Sequence, residues 1–307
     1  MTGTGTGTHA GSFGGTGTAP AASTGTAPAA AGAVEERLGD PFDDTNPYGF
    51  RAVLAADEAG RTPPGGDILT SLGLAGEPPA SEALWHVLRA LHRRSPRAAA
   101  GHPPTGAAAD VVRLGATAGA LDSALRITLR HLRARRLYGA AAIDIPYLRA
   151  LLAGAYADLL LSETLTVLAV RGGDPRPALF LGPRVLQGAL DRLSVVMGSR
   201  FYLREGEHAV FQALLGQAQR VLFAPGGPAR PAAPVTPDAL LATPEAAELC
   251  DPRLLAAAPG RRLLTSASRR VPQPAGPAAE GLHAQLGDRY DAGLSFGLTG
   301  HPVPDRP

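Results

Sequence analysis

Between Ala107 and Phe223, four stretches repeat apolar residues every three or four positions, and this period restricts the possible folds more than any other feature of the chain. In the first stretch Val111, Leu114, Ala118, Leu121, Leu125, Leu129 and Leu132 share a face, and Arg126, Arg130 and Arg133 line the other. That pattern predicts an amphipathic helix from about Ala109 to Leu137, stopped by Tyr138-Gly139. The second stretch runs from Pro146 to Val170, with Leu148, Leu151, Leu152, Ala155, Leu159 and Ser162 on one face, and Arg171-Gly172-Gly173 ends it. The third runs from about Pro183 to Met197, with Leu186, Leu190, Leu193 and Met197 inward and Gly198 as its stop. The fourth runs from about Glu205 to Leu222 and carries Val210, Phe211, Leu214, Ala218 and Val221. Four such helices with short connections predict an all-α fold built on an antiparallel four-helix bundle. Each buried Leu or Val contributes roughly 1.5–3 kcal/mol, enough over this many positions to stabilise a domain of the size.

The flanks are weaker. Residues 1–33 are a Gly/Thr/Ala/Pro tract with almost no charge, expected to be a disordered tail. Its glycines follow no strand and precede no Gly-Lys-Ser/Thr, which argues against a phosphate loop. Residues 34–97 read as an N-terminal helical segment: Asn46-Pro47 suggests a helix start, and Ser81 a second one ahead of Leu84, Val87, Leu88 and Leu91. Residues 98–106 read as a linker and 107–223 as the bundle. Residues 224–307 are Pro/Ala-rich and expected to be largely disordered, with short helices possible at Pro237–Leu249 and Asp251–Leu264.

Composition narrows the function classes. All 29 basic residues are arginine, but 27 acidic residues nearly cancel them, so no basic stripe argues for nucleic acid. Cys250 is the only cysteine, which excludes an intramolecular disulfide and a cysteine zinc site and fits a cytoplasmic location. The N-terminus lacks a basic-then-apolar leader, and the most apolar run, Leu148 to Val170, is broken by Arg149, Asp158 and Glu163, so no membrane span is expected. Glu205 and His208 have Glu-x-x-His spacing, but a di-iron bundle needs two such pairs, so no metal is expected. Ser162 and Ser194 have no accompanying His/Asp arrangement, which argues against a hydrolase.

Several motifs occur in a familiar order. Arg135-Arg-Leu-Tyr138-Gly139 closes a long helix, AYADLLLSETLTVLAV lies in the next, and Gly198-Ser-Arg-Phe-Tyr202 precedes the fourth. Upstream lies LGDPFDDTNPYGFRAVLAADEAG. In these features the chain resembles the flavin-dependent acyl-CoA dehydrogenases, chiefly their C-terminal helical-bundle domain. The resemblance implies FAD-linked oxidation of an acyl thioester, with acyl-CoA as substrate and assembly through the bundle as a homo- or hetero-oligomer. It implies that Arg135 and Tyr138 contact FAD, the guanidinium through charge-assisted bonds to the pyrophosphate and the ring by packing. It offers Glu205, in the Glu205-Gly206 pair after the glycine turn, as the base that removes an α-proton, a role that needs an apolar pocket to raise its pKa.

The family's β-domain has no counterpart here. Only Arg97 to Asp110 separates the N-terminal helices from the bundle, and nothing in that stretch alternates like a strand. The flavin site is therefore expected to be incomplete in this chain alone. Two other readings stand beside the first: a catalytically inactive interaction or assembly module derived from the family, and a helical binder unrelated to it.

Overall fold

The computed structural model describes residues 27–72, 81–95, 97, 106–172, 174–222, 244–249 and 276–305. Helices α1 (Ala27–Leu38), α2 (Phe50–Glu58), α3 (Gly66–Ser71) and α4 (Glu82–His92) precede the bundle helices. These are α5 (Gly106–Ala134), α6 (Pro146–Val170), α7 (Arg176–Met197) and α8 (Gly206–Leu222). Two more, α9 (Pro244–Leu249) and α10 (Pro277–Asp291), follow. Among the described residues the only paired strands, β1 (Arg136–Leu137) and β2 (Ala140–Ala141), form a minimal hairpin between α5 and α6. The protein is all-α, as the apolar period predicts.

Helix α6 lies at the centre. It has no continuous polar face, and every residue from Leu151 to Val167 is buried, against α5, α7 and α10. A helix without a polar face needs cover all round, and three neighbours supply it. Its length and composition would also suit a bilayer span, but 94% of its most apolar window is buried inside this fold. Helix α5 packs on α4, α6, α7 and α8. Helix α4 is in turn sandwiched between α5 and a smaller core made by Ala31, Val34 and Leu38 of α1 with Ile68 and Leu69 of α3.

The approach of α4 to α5 depends on two glycines one turn apart. A Cβ at Gly115 would lie 3.0 Å from the Trp85 ring. One at Gly119 would lie 2.8 Å from the Arg93 backbone nitrogen and closer still to the Arg89 carbonyl oxygen. Backbone cannot rotate aside as a side chain can. Gly119→Ala should therefore destabilise the fold by about 1–3 kcal/mol in urea unfolding, even though alanine gains about 1 kcal/mol of helix propensity. A stabilised variant would mean that the helices part without cost.

Several boundaries differ from the sequence reading. Helix α7 starts at Arg176, seven residues before Pro183, which lies inside it. Ala178 and Leu181 of that extra turn are buried, and their packing offsets the hydrogen bond that proline cannot donate. Asn46 caps no helix; Gly49 precedes α2. The Asn46 amide instead donates to the carbonyls of Leu38 (2.7 Å) and Asp40 (2.6 Å), and its oxygen accepts from the Tyr48 N–H (2.8 Å). Ser81 does cap α4, accepting from the Leu84 N–H at 3.2 Å. Helix α1 begins inside the stretch expected to be a tail, with Ala31 fully buried. The expected short helix near Leu249 is α9, whereas that at Asp251–Leu264 lies outside the described residues, as does Cys250.

The largest correction concerns the C-terminal region. Residues 276–305, expected to be disordered, form an arm: α10 followed by a compact tip closed by Ser295 N–H to His301 C=O (2.8 Å) and Val303 N–H to Gly293 C=O (2.9 Å). The arm buries Leu282, Leu286, Tyr290 and Phe296 against the bundle. It also covers the supposed polar face of α5. Arg126 is buried with its guanidinium 4.4 Å from the Phe296 ring centroid, and Arg133 pairs with Asp291 at 2.5 Å.

Candidate functional site

The connections α5–α6 and α7–α8 bring the sequence-predicted residues to one end of the bundle. Arg135 directly follows α5, its N–H bonded to the His131 carbonyl at 2.9 Å. Tyr138 and Gly139 form the two-residue turn of the hairpin. Both have positive φ (53° and 84°), as a type I′ turn requires, and Tyr138 is the only non-glycine so placed among the described residues. The turn leaves Tyr138 fully exposed. Tyr202, at the end of the 3₁₀ turn Gly198–Tyr202, is also largely exposed at this end. That turn is held by the Gln212 side chain, which donates to the Leu203 carbonyl (2.9 Å) and to that of Phe201.

Two histidines join the helices there. His131 of α5 and His208 of α8 meet edge to face, 5.3 Å between ring centroids, and the Nε2 atom of each is buried without a hydrogen-bond partner. Burial, then the charges of His208, Arg135 and Arg200, push His131 down to about 4. Burial is the largest of these influences, and the two arginines add to it by disfavouring a further positive charge on the ring. Nearby Glu207 is already engaged with Arg130 at 2.6 Å.

Glu205 lies at the same end, but on the surface. It is exposed, and its backbone carbonyl accepts the first bonds of α8 from His208 (3.2 Å) and Ala209 (3.3 Å). Within this chain it sits at a helix start rather than in an apolar pocket. Arg135, Tyr138 and Glu205 thus share an end of the bundle, but among the described residues none encloses Glu205 in the apolar surroundings a carbon-acid base needs. Among the described residues no group of three His, Cys, Asp or Glu side chains gathers as metal ligands, and the Glu205–His208 spacing gains no third member.

A second constellation, buried at the centre, was not singled out by sequence reasoning. Arg89 of α4 bonds Asp122 of α5 (2.6 Å) and Glu163 of α6. Arg93 bonds Glu35 of α1 (2.8 Å) and Asp305 of the arm (2.6 Å), and lies 3.5 Å from Asp122. Arg126 reaches Asp122 (3.3 Å) and Asp305 (3.6 Å). Backbone N–H groups of the tip complete the set: Phe296 donates to Asp122 (2.8 Å) and Leu298 to Glu163 (2.7 Å). All of these side chains are buried.

Their electrostatics follow from this pairing. Burial pushes the Glu35 carboxyl up, but Arg93, His301 and Arg94 outweigh it and hold Glu35 at about 2. Asp122 is likewise held well below its usual range by Arg89, Arg93 and Arg126 against its burial. Arg94 shows the opposite balance: desolvation dominates and lowers it to about 10. A signal for this cluster existed in the sequence. Arg89 and Arg93 stand four apart beside the apolar stripe of α4, and Asp122 and Arg126 do the same on α5. Charges so close to an apolar seam are buried when an extra layer, here the arm, covers them.

No family model, no curated protein and no solved structure matches this chain.

Proposed function

We propose that the chain is the helical subunit of an FAD-linked acyl-thioester oxidoreductase of the acyl-CoA dehydrogenase type, completed by a second polypeptide. The observation that carries this reading is the end of the bundle where Arg135 and Arg200 lie near enough to His131 to act on it and the hairpin that follows Arg135 presents a fully exposed Tyr138. These residues suit the anionic diphosphate of FAD and an adjoining planar ring. The described residues supply no sheet against which the flavin ring could lie, so its cradle belongs to the partner. FAD, when bound, supplies the hydride acceptor for the oxidation. The contribution of this chain is to hold the diphosphate and orient the cofactor's edge. Glu205 would act as base only where the partner's surface encloses it.

One measurement tests the cofactor part. Calorimetric titration of the purified full chain with FAD should give weak, saturable binding. Arg135→Ala should weaken it by at least tenfold, in line with about 1.5–3 kcal/mol for a hydrogen bond to a charged group. No saturation at millimolar FAD would sink the flavin reading.

A specific observation favours a second reading, that of an assembly module without chemistry: Glu205 is exposed at the start of α8 rather than enclosed in an apolar pocket. That reading expects Tyr138→Ala and Tyr202→Ala to weaken self-association in light scattering and FAD to have no effect.

A further inference from the structure

The arm meets the rest of the protein in an unusual way. Helix α10 lays Ala279, Leu282, Leu286 and Tyr290 on the bundle, as any core helix would. The tip beyond it is recognised by charge and backbone. Asp122 and Glu163 accept the N–H groups of Phe296 and Leu298, Arg126 donates to the Leu294 carbonyl, and Arg93 binds the Asp305 carboxylate. Phe296 is held between Arg126 on one side and the edge of Tyr156, 6.2 Å between centroids, on the other. A Cβ at position 297 would come within 2.8 Å of both Arg89 and Glu163, so the tip backbone lies directly on that ion pair. Carboxylates for N–H groups, a guanidinium for a carbonyl, a second for an acidic side chain and a slot for one aromatic ring make up the chemistry by which proteins bind extended peptides.

The guanidinium groups of the seat have carboxylate partners outside the arm. Arg89 keeps Asp122 and Glu163, Arg93 keeps Glu35 and Asp122, and Arg126 keeps Asp122, all from α1, α4, α5 and α6. A seat whose charges are already paired can be solvated when vacated, whereas a bare apolar slot would collapse. Residues 250–275 separate the arm from α9 along the chain.

We infer that the cleft between α4, α5 and α6 is a peptide-binding groove that the chain fills with its own arm, and that its partner in trans is the same arm, residues 276–305, of a second copy. Exchange costs little, because every contact broken in one copy is remade in the other. Tethering sets the balance. A chain's own arm competes at an effective concentration on the order of millimolar, so dilute protein is self-closed. Copies held together, for example through the bundle end, exchange arms. The inference is independent of the flavin reading, since FAD plays no part in it.

Two measurements test it on the full chain. In the first, a fluorescent peptide of residues 276–305 is titrated into the unmodified protein and into Asp305→Ala, whose own arm has lost its grip on Arg93. The variant should bind the peptide at least tenfold more tightly than the unmodified chain, and a peptide carrying Asp305→Asn should lose at least tenfold. The second leaves groove and tip intact. In a Cys250→Ser background, Arg133→Cys on one copy and Asp291→Cys on another place thiols at the outer edge of the seat, where the native side chains meet. A short bis-maleimide should then cross-link the mixture at about 1 mM with a yield at least fivefold above a control pairing Arg51→Cys with Asp291→Cys. Equal peptide affinity for the two chains overturns the proposal, as does a cross-link yield no greater than the control. If Asp305→Ala fails to fold, the cross-link decides alone.

Discussion

Asp122→Ala should lower the unfolding free energy by about 3–5 kcal/mol, the usual cost of removing one partner from a buried ion pair. The size follows from what Asp122 serves: Arg89 at 2.6 Å, Arg126 at 3.3 Å, Arg93 at 3.5 Å and the Phe296 N–H at 2.8 Å. Alanine leaves three guanidinium groups sharing Glu35, Glu163 and Asp305, and it leaves one N–H without an acceptor. Asp122→Asn should lose less, because its side-chain oxygen can still accept from Phe296. For a domain of this size the alanine variant should melt lower by roughly 10 °C or more. A loss below about 1 kcal/mol in urea unfolding would mean that the cluster relaxes or hydrates without penalty, and that it does not hold the arm.

The second large effect is acid destabilisation. His92 is fully buried and held neutral, which lowers it to about 4 from the usual 6.5. Glu35 is held ionised at about 2 against the usual 4.5. Both native pKa values are depressed, so the unfolded chain binds more protons than the folded one across the acid range, and stability rises with pH. For His92 the loss begins as pH falls through about 6.5 and is complete near 4. For Glu35 it begins near 4.5 and is complete near 2. Each shift corresponds to roughly 3 kcal/mol. Unfolding free energy should therefore fall steadily from neutral pH to pH 3, and Glu35→Gln should flatten the lower part of that curve. A flat profile between pH 6.5 and 3 would contradict both assignments.

The bundle was legible because its signal is local and repetitive. Helix α6 spans Pro146–Val170, as its periodicity and flanking residues indicate, and Gly198 ends α7 in a left-handed conformation. Pro183 misled because the rule that proline opens helices ignores what the preceding turn packs on. The arm was illegible for a deeper reason. Its stripe is weak, and much of its hold on the body comes from single N–H groups and one carboxylate meeting charges 135 to 212 positions away. No window of sequence contains both halves of such a contact. Arg126 was misread as solvent-facing for the same reason: what covers it lies far along the chain. At the bundle end, Arg135 and Tyr138 could be picked out by motif, but the exposure of Glu205 and the pairing of His131 with His208 emerged only once α5 and α8 were side by side.

The bond between Arg93 and Asp305 also sets a timetable for biosynthesis. Its two residues are separated by 212 positions, and Glu35, Asp122 and Arg126 converge on the same spot. Chains emerge from the ribosome at roughly 5–20 residues per second, so α4 and α5 wait many seconds with Arg93 and Arg126 lacking their last counter-charge. During that interval the nascent protein presents a cleft that Asp305 and the tip backbone have not yet closed. Maturation is then a late docking event, and a newly made copy differs from a finished one in what it can bind.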